Sequence, residues 1–249
     1  MAEYQRLEKA PIAEAIIDLR IKPALGDEVL PILSSIKDEI GDSYPICEKF
    51  YSYGGEFRIQ ESKTMVHTSK DVVTEGYIYK TADNRQIAQF RKNGFTFNNL
   101  NPYTRWEAIL AEAQRLWTIY QKKASPEIVT RIAVRYINKM ELPRPDQDFS
   151  EYLVEPPRIP DGIPNGANSY YSKIIIHDEK TDLSANIIQL IDKSIDPKNF
   201  TLILDNDIYK GSDYEAGSSV IWEVFSDLRK MKNTIFFATI TEKTARLFK

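Results

Sequence analysis

The stretch Glu127 to Met140, EIVTRIAVRYINKM, constrains this chain more than any other segment, because its two faces differ in kind. A strand repeats every two residues, so Ile128, Ile132, Val134, Tyr136 and Met140 share one face while Arg131, Arg135 and Lys139 share the other. The apolar face asks for a core. The basic stripe asks for counter-charge, which could be internal carboxylates, a bound anion or the surface of a partner. The first strand offers candidates: in PIAEAIIDLRIK, Ala13, Ala15, Ile17, Leu19 and Ile21 form an apolar side, with Glu14, Asp18, Arg20 and Lys22 largely opposite. If the two strands are neighbours, Glu14 and Asp18 compensate Arg131 and Arg135 in cross-strand pairs worth about 1 kcal/mol or less each when exposed. If the stripe lines a concavity, its guanidinium forks suit a carboxylate or phosphate. We expect Arg131 to be structurally paired and at least one other member of the stripe to face a binding site.

Around these strands the chain reads as a single α+β domain over residues 1–249, a large, mainly antiparallel, curved sheet with long helices on one face. A helix starts at Asp27 as N-cap, carries Leu30, Leu33, Ile36 and Ile40 at helical spacing, and ends at Gly41. From Phe50 to Asn98 short strands alternate with turn signals at Gly54-Gly55, around Ser69 to Asp71, at Asp83-Asn84 and at Asn93-Gly94, which predicts a meander. Thr104 and Glu107 have capping-box spacing ahead of a helix whose stripe is Trp106, Ile109, Ala113, Leu116, Trp117 and Tyr120. After the Arg-bearing strand, residues 143–168 are proline-rich and predict an extended loop without regular structure. Strands resume at Tyr170–His177, Leu183–Ile191 and Phe200–Asn206, and a helix from about Glu215 presents Ile221, Phe225, Leu228, Ile235 and Thr239, with a short terminal helix from Thr241. Strand, further strands and long helix thus occur in the same order in 1–124 and 125–249, which raises the reading of two similar halves.

The residue types exclude several chemistries. With 10 glycines, the chain of 249 residues has no P-loop, no dinucleotide-binding fingerprint and no G-x-S-x-G. A single cysteine, Cys47, and two distant histidines, His67 and His177, make neither an internal disulfide nor a Cys/His zinc site. Cys47, beside Pro45 and Ile46, is expected to be buried and inert, and His177 in HDEKTD to sit at a solvated strand end. A net charge of −3 argues against general nucleic-acid binding, and the absence of an apolar leader or spanning segment predicts a cytoplasmic protein without a membrane. One pattern keeps an enzymatic alternative open. Asp205 and Asp207 form a D-x-D of the kind that holds Mg²⁺ with substrate phosphates, although D-N-D followed by Gly211-Ser212-Asp213 is also ordinary turn composition.

The strings PIAEAIIDLR, NPYTRWEAI, TRIAVRYINKMELP, LILDNDIY and FFATITEKTARLF together resemble a sporadically distributed family of bacterial proteins of this length, whose biochemical function is unassigned. The resemblance spans nearly the whole chain and is most specific at Arg135–Asn138 and at Ile240, Thr241, Arg246 and Phe248; many members of that family carry a histidine where this chain has Arg229. It implies a bacterial, cytosolic, single-domain protein, and it supplies no catalytic residues and no cofactor. The reading it favours is a noncatalytic protein-binding partner, such as the accessory or neutralising member of a defence or toxin–antitoxin-like pair. The alternatives are a metal-dependent phosphoryl- or nucleotidyl-transfer enzyme using Asp205 and Asp207, and a sensor of a small anionic ligand held by Arg131 and Arg135.

Overall fold

The computed structural model describes residues 4–22, 24–53, 56–60, 63–67, 72–145, 148–158, 162 and 169–249. The first half contains β1 (Ile12–Lys22), the short helices α1 (Leu30–Ser35) and α2 (Lys37–Ile40), β2 (Ile46–Tyr53), β3 (Glu56–Gln60), β4 (Lys63–His67), β5 (Val72–Lys80), β6 (Gln86–Arg91), β7 (Gly94–Leu100) and α3 (Trp106–Ala124). The second contains β8 (Ile128–Pro143), β9 (Tyr170–Asp178), β10 (Leu183–Lys193), β11 (Asn199–Glu215), α4 (Val220–Thr239) and α5 (Glu242–Arg246). Apart from a β3–β4 hairpin, the strands form one nine-stranded antiparallel sheet in the order β2-β5-β6-β7-β1-β8-β11-β10-β9. That order is balanced about the β1–β8 junction: the opening strand of each half lies at the centre, the strand before each long helix lies beside it, and the hairpin strands run outward.

The long helices lie together on one face of the sheet. Trp106, Ile109, Ala113, Leu116, Trp117 and Tyr120 of α3 and Ile221, Phe225 and Leu228 of α4 are buried in the core they share with Ala15, Ile17, Leu19 and Ile21 of β1 and Ile132, Val134 and Tyr136 of β8. Trp106 and Phe225 touch across the helix pair, with ring centroids 6.4 Å apart. Burying stripes of this kind stabilises each large side chain by roughly 1.5–3 kcal/mol, which is why helix periodicity and strand alternation agree on a single interior.

Several local expectations are corrected. The segment from Asp27 is a 3-10 turn followed by two short helices, and Asp27 turns its carboxylate to Lys92 at 2.9 Å while Gly26 stands at the N-cap. At α3, Arg105 is the N-cap with no side-chain cap, because Glu107 instead accepts from Arg229 at 3.1 Å. β11 runs for 17 residues, so Asp205 and Asp207 are mid-strand and α4 begins later than Glu215. Asp205 and Asp207 suit a strand because the side chains facing them are arginines. Cys47 is exposed, since it lies on the outermost strand β2, beyond the helix layer.

Within 143–168, Pro143 ends β8, residues 149–151 form a 3-10 turn, and Leu153 bridges to Ile240. Tyr152 and Leu153 are buried with Phe200, Leu202, Phe237 and Ile240 in a second core. Thr241 holds this segment: its hydroxyl donates to the Glu151 carbonyl at 2.6 Å and caps α5 by accepting from the Thr244 amide at 3.3 Å. The rest of the proline-rich stretch, at 146–147, 159–161 and 163–168, lies outside the described residues, as do the turn signals at Gly54-Gly55 and Ser69 to Asp71 and the side chain of His67. At the β6–β7 hairpin, Gly94 has φ +145° and passes so close to β1 that an added Cβ would lie 2.1 Å from the Leu19 carbonyl oxygen.

Candidate functional site

The basic stripe on β8 meets an acidic set drawn from both neighbouring strands. β1 and β11 flank β8, and the registers Asp18↔Ala133, Asp205↔Ile137 and Asp207↔Arg135 put the three aspartates on the face carrying Arg131 and Arg135. Arg131 donates from Nη2 to both oxygens of Asp207 at 2.8 Å and from Nη1 to Asp18 Oδ2 at 3.2 Å. Arg135 grips Asp205 with a fork, Nε to Oδ1 at 2.8 Å and Nη2 to Oδ2 at 2.6 Å, and that bonding raises its affinity for its proton. Asp18, 7% exposed, also accepts from Arg20 Nε at 2.9 Å, Arg91 Nη2 at 3.1 Å and Thr96 Oγ1 at 2.6 Å. Glu14 takes a different partner, the Asn98 amide at 2.7 Å. Lys139 stands 3.8 Å from Glu141 and is otherwise exposed.

All three members of the stripe therefore contact carboxylates of their own chain. The open face is a charge-balanced lattice, with Arg131 additionally stacked 4.6 Å from the Tyr209 ring centroid. The same contacts bear on Asp205 and Asp207: both carboxylates are already committed to guanidinium groups, and no cluster of metal-ligating side chains occurs among the described residues. His177 is exposed on β9, 3.1 Å from the Ser184 hydroxyl and 3.9 Å from Asp182.

On the opposite, helix-bearing face the chain builds a cavity of about 1130 Å³. Its walls are residues 4–12, the loop 101–107 leading into α3, Asn138 of β8, and one side of α4 formed by Arg229, Lys232, Asn233 and Phe236 at i, i+3, i+4 and i+7. The N-terminal segment is held in place by the bond from the Lys9 amide to the Phe248 carbonyl at 3.0 Å and by Tyr4 packing edge-on against Phe237. Five basic side chains, Arg6, Lys9, Arg105, Arg229 and Lys232, line this space against two acidic ones, Glu8 and Glu107. The start of α3 borders the same space, and its first turn carries the acidic Glu107.

Lys232, half-buried on α4, is one of the residues that line this cavity. On α4 it occupies the slot that continues the buried series Ile221, Phe225 and Leu228, so an ammonium stands where an apolar side chain would complete the stripe. Its Nζ lies 4.1 Å from the centroid of the Tyr136 ring, and among the described residues no carboxylate pairs with it. Burial, and then the neighbouring Arg229 cation, push its proton affinity down to about 7 from an ordinary 10.5. Beneath it the Tyr136 and Tyr103 hydroxyls are 3.4 Å apart, and burial raises both above the usual phenol range. Asn138, 3% exposed, donates to the Leu204 carbonyl at 3.3 Å. Asn206, paired in register with Tyr136, is buried with both amide atoms unpartnered among the described residues, which costs about 1–3 kcal/mol.

Neither Lys232 nor Arg229 was singled out as a site by residue pattern. The available signal was the lysine interrupting the α4 stripe. Arg229 is engaged twice, by Glu107 and by the Trp106 ring 5.5 Å from its Cζ, which leaves Lys232 as the cavity-lining cation of α4 without a carboxylate partner among the described residues. No protein-family model matches the chain, and no curated protein matches it either.

Proposed function

We propose that this is a noncatalytic binding protein whose helix-side cavity receives a small anionic ligand. The observation that carries the reading is Lys232, a desolvated amine without a carboxylate among the described residues, in a cavity where basic groups outnumber acidic ones. Desolvating a charge is tolerated in a folded protein when something compensates it, and an entering carboxylate or phosphate would do so here. In this reading the anion is received not at Arg131 and Arg135 but on the other face of the sheet, at Lys232 in the cavity. The phosphoryl-transfer alternative loses support, because its two carboxylates are held by arginines.

The test is a thermal-shift and calorimetric titration of the whole protein with inorganic phosphate and with mono- and dicarboxylates. Stabilisation that disappears in Lys232→Met and persists in Arg135→Ala supports the cavity. Stabilisation lost in Arg135→Ala and kept in Lys232→Met, or none with any anion, overturns it.

A protein partner is a second reading, favoured by β9. This edge strand exposes Tyr171 at 61%, Ile174 at 52% and Ile175 at 63%, an apolar border that has no outer strand partner among the described residues and is of the kind that accepts another strand. On this reading the protein is the accessory or neutralising member of a bacterial defence or toxin–antitoxin-like pair. Affinity capture comparing wild type with Ile175→Lys separates the two: a partner lost only in that variant docks at the edge, and retention of every captured protein removes the edge from consideration.

A further inference from the structure

We propose that Lys232 is a covalent capture point, its amine forming a reversible imine with the carbonyl carbon of an anionic aldehyde or α-keto acid seated in the cavity. The inference rests on the anion-pocket reading and adds a bond to it.

The geometry supplies what such a step needs. Lys232 projects from α4 into a space of about 1130 Å³, large enough for a small carbonyl compound, and its Nζ rests on the face of Tyr136 at 4.1 Å from the ring centroid. The charged groups around that space are Arg6, Glu8 and Lys9 from the N-terminal segment, Arg105 and Glu107 from the entry to α3, and Arg229 from α4 itself. Glu107 is engaged by Arg229 at 3.1 Å, so the nearest acid on the α3 side is turned to another cation. A carboxylate on the ligand would answer the remaining positive charge and hold the adjacent carbonyl near the amine, converting a bimolecular encounter into a local one.

A lysine attacks a carbonyl only as the neutral amine, and desolvation beside a second cation is the established way to make it neutral near pH 7. Both conditions hold at Lys232, which burial and Arg229 keep from binding its proton tightly. In the step, the Nζ lone pair adds to the carbonyl carbon as the C=O π pair moves onto oxygen. A proton passes from nitrogen to that oxygen, a transfer for which the hydroxyls of Tyr136 and Tyr103, 3.4 Å apart, offer a relay. The carbinolamine then expels the oxygen as water, with a second proton from nitrogen, while the nitrogen pair closes the C=N bond. One amine and one carbonyl give one imine and one water, with no oxidant or reductant.

The experiment incubates the whole protein with glyoxylate at neutral pH in the presence of cyanoborohydride, which freezes any imine as a secondary amine, and maps the product by peptide mass. The internal control is Lys230, on the same helix with a side chain 74% exposed. Lys232 is expected to be labelled more than about tenfold faster than Lys230, because an ordinary lysine is almost wholly protonated at that pH. Excess inorganic phosphate is expected to slow labelling at Lys232 and leave Lys230 unchanged. Equal or faster labelling of Lys230 overturns the proposal. If Lys232 stays unlabelled while phosphate still stabilises the wild-type protein, the imine fails and the anion pocket stands; if phosphate also has no effect, both fail. Lys232→Met removes the label from that position, and because the labelling ratio and phosphate protection are read on the wild-type chain, they decide the matter even if that variant does not fold.

Discussion

Arg135 and Asp205 meet in a two-point fork across β8 and β11, Nε to Oδ1 at 2.8 Å and Nη2 to Oδ2 at 2.6 Å, although 70 residues separate them. The pair joins two strands in register, yet the Arg135 side chain is 44% exposed. Asp18 is the deeper node of the same face, since its partner Arg91 has a side chain only 8% exposed.

The two positions are therefore predicted to differ in urea denaturation. Arg135→Ala should cost less, about 1–3 kcal/mol, because water reaches the half-exposed guanidinium even though Asp205, its side chain 12% exposed, loses its fork. Asp18→Ala should cost about 3–5 kcal/mol, because it strands the buried Arg91 guanidinium without its carboxylate. Equal losses at the two sites would contradict the depth assigned to them.

How much of this was legible in residue order depends on the range over which each feature is made. β1 and the α3 stripe were readable, because alternation and 3.6-residue spacing are local consequences of one buried side. The start of β11 was readable too, as Phe200–Asn206, but its continuation to Glu215 was not, because Asn206-Asp207 and Gly211-Ser212 have the composition of a turn. Asp205 and Asp207 face Arg131 and Arg135 on the next strand, and no local rule sees 70 residues away. Asp18 was a correct counter-charge for Arg131, whereas Glu14 was assigned to the stripe and instead bonds Asn98. The cavity is further from local reach still. It draws on residues 4–12, 101–107, Asn138 and α4, segments whose convergence follows only from the sheet order.

Divalent cations provide a second test. With Asp205 and Asp207 each bonded twice by a guanidinium, Mg²⁺ or Mn²⁺ is expected to leave the melting temperature of the wild-type protein unchanged. The double variant Arg131→Ala/Arg135→Ala uncovers both carboxylates on one strand face, and it should gain weak Mn²⁺ binding detectable by paramagnetic broadening. Wild-type binding that vanishes in Asp205→Asn would restore the metal reading.

Backbone approach at the β6–β7 hairpin gives a third. Gly94→Ala would place a Cβ 2.1 Å from the Leu19 carbonyl at a φ of +145°, so β1 or the hairpin must move. A loss of about 2 kcal/mol or more is expected in chemical denaturation. Gly211→Ala is the control: its nearest neighbour is the Thr130 carbonyl oxygen at 4.0 Å, and it should lie within about 0.5 kcal/mol of wild type.

The pH dependence of stability tests the cavity without any ligand. Lys232 binds its proton with an affinity near 7 in the folded chain and near the ordinary 10.5 when unfolded. Below pH 7 both states are protonated and the full cost of the buried charge is present. Between about pH 7 and 10.5 the unfolded state holds up to one more proton, so this residue makes stability rise with pH, by at most about 1.4 kcal/mol per unit. The clean window ends near pH 9. Above it the buried hydroxyls of Tyr79 and Tyr120, whose proton affinities burial raises, begin to contribute the opposite slope as unfolded tyrosines ionise near about 10. Lys232→Met keeps the length of the side chain and removes the charge. It should raise stability at pH 7 by more than about 1 kcal/mol and flatten the rise between pH 7 and 9. A variant that is more stable yet no longer responds to phosphate is the signature of a residue kept for binding at the expense of folding. A variant that is less stable than wild type, with the slope unchanged, would show that the lysine is a paired structural cation and that the cavity has no such role.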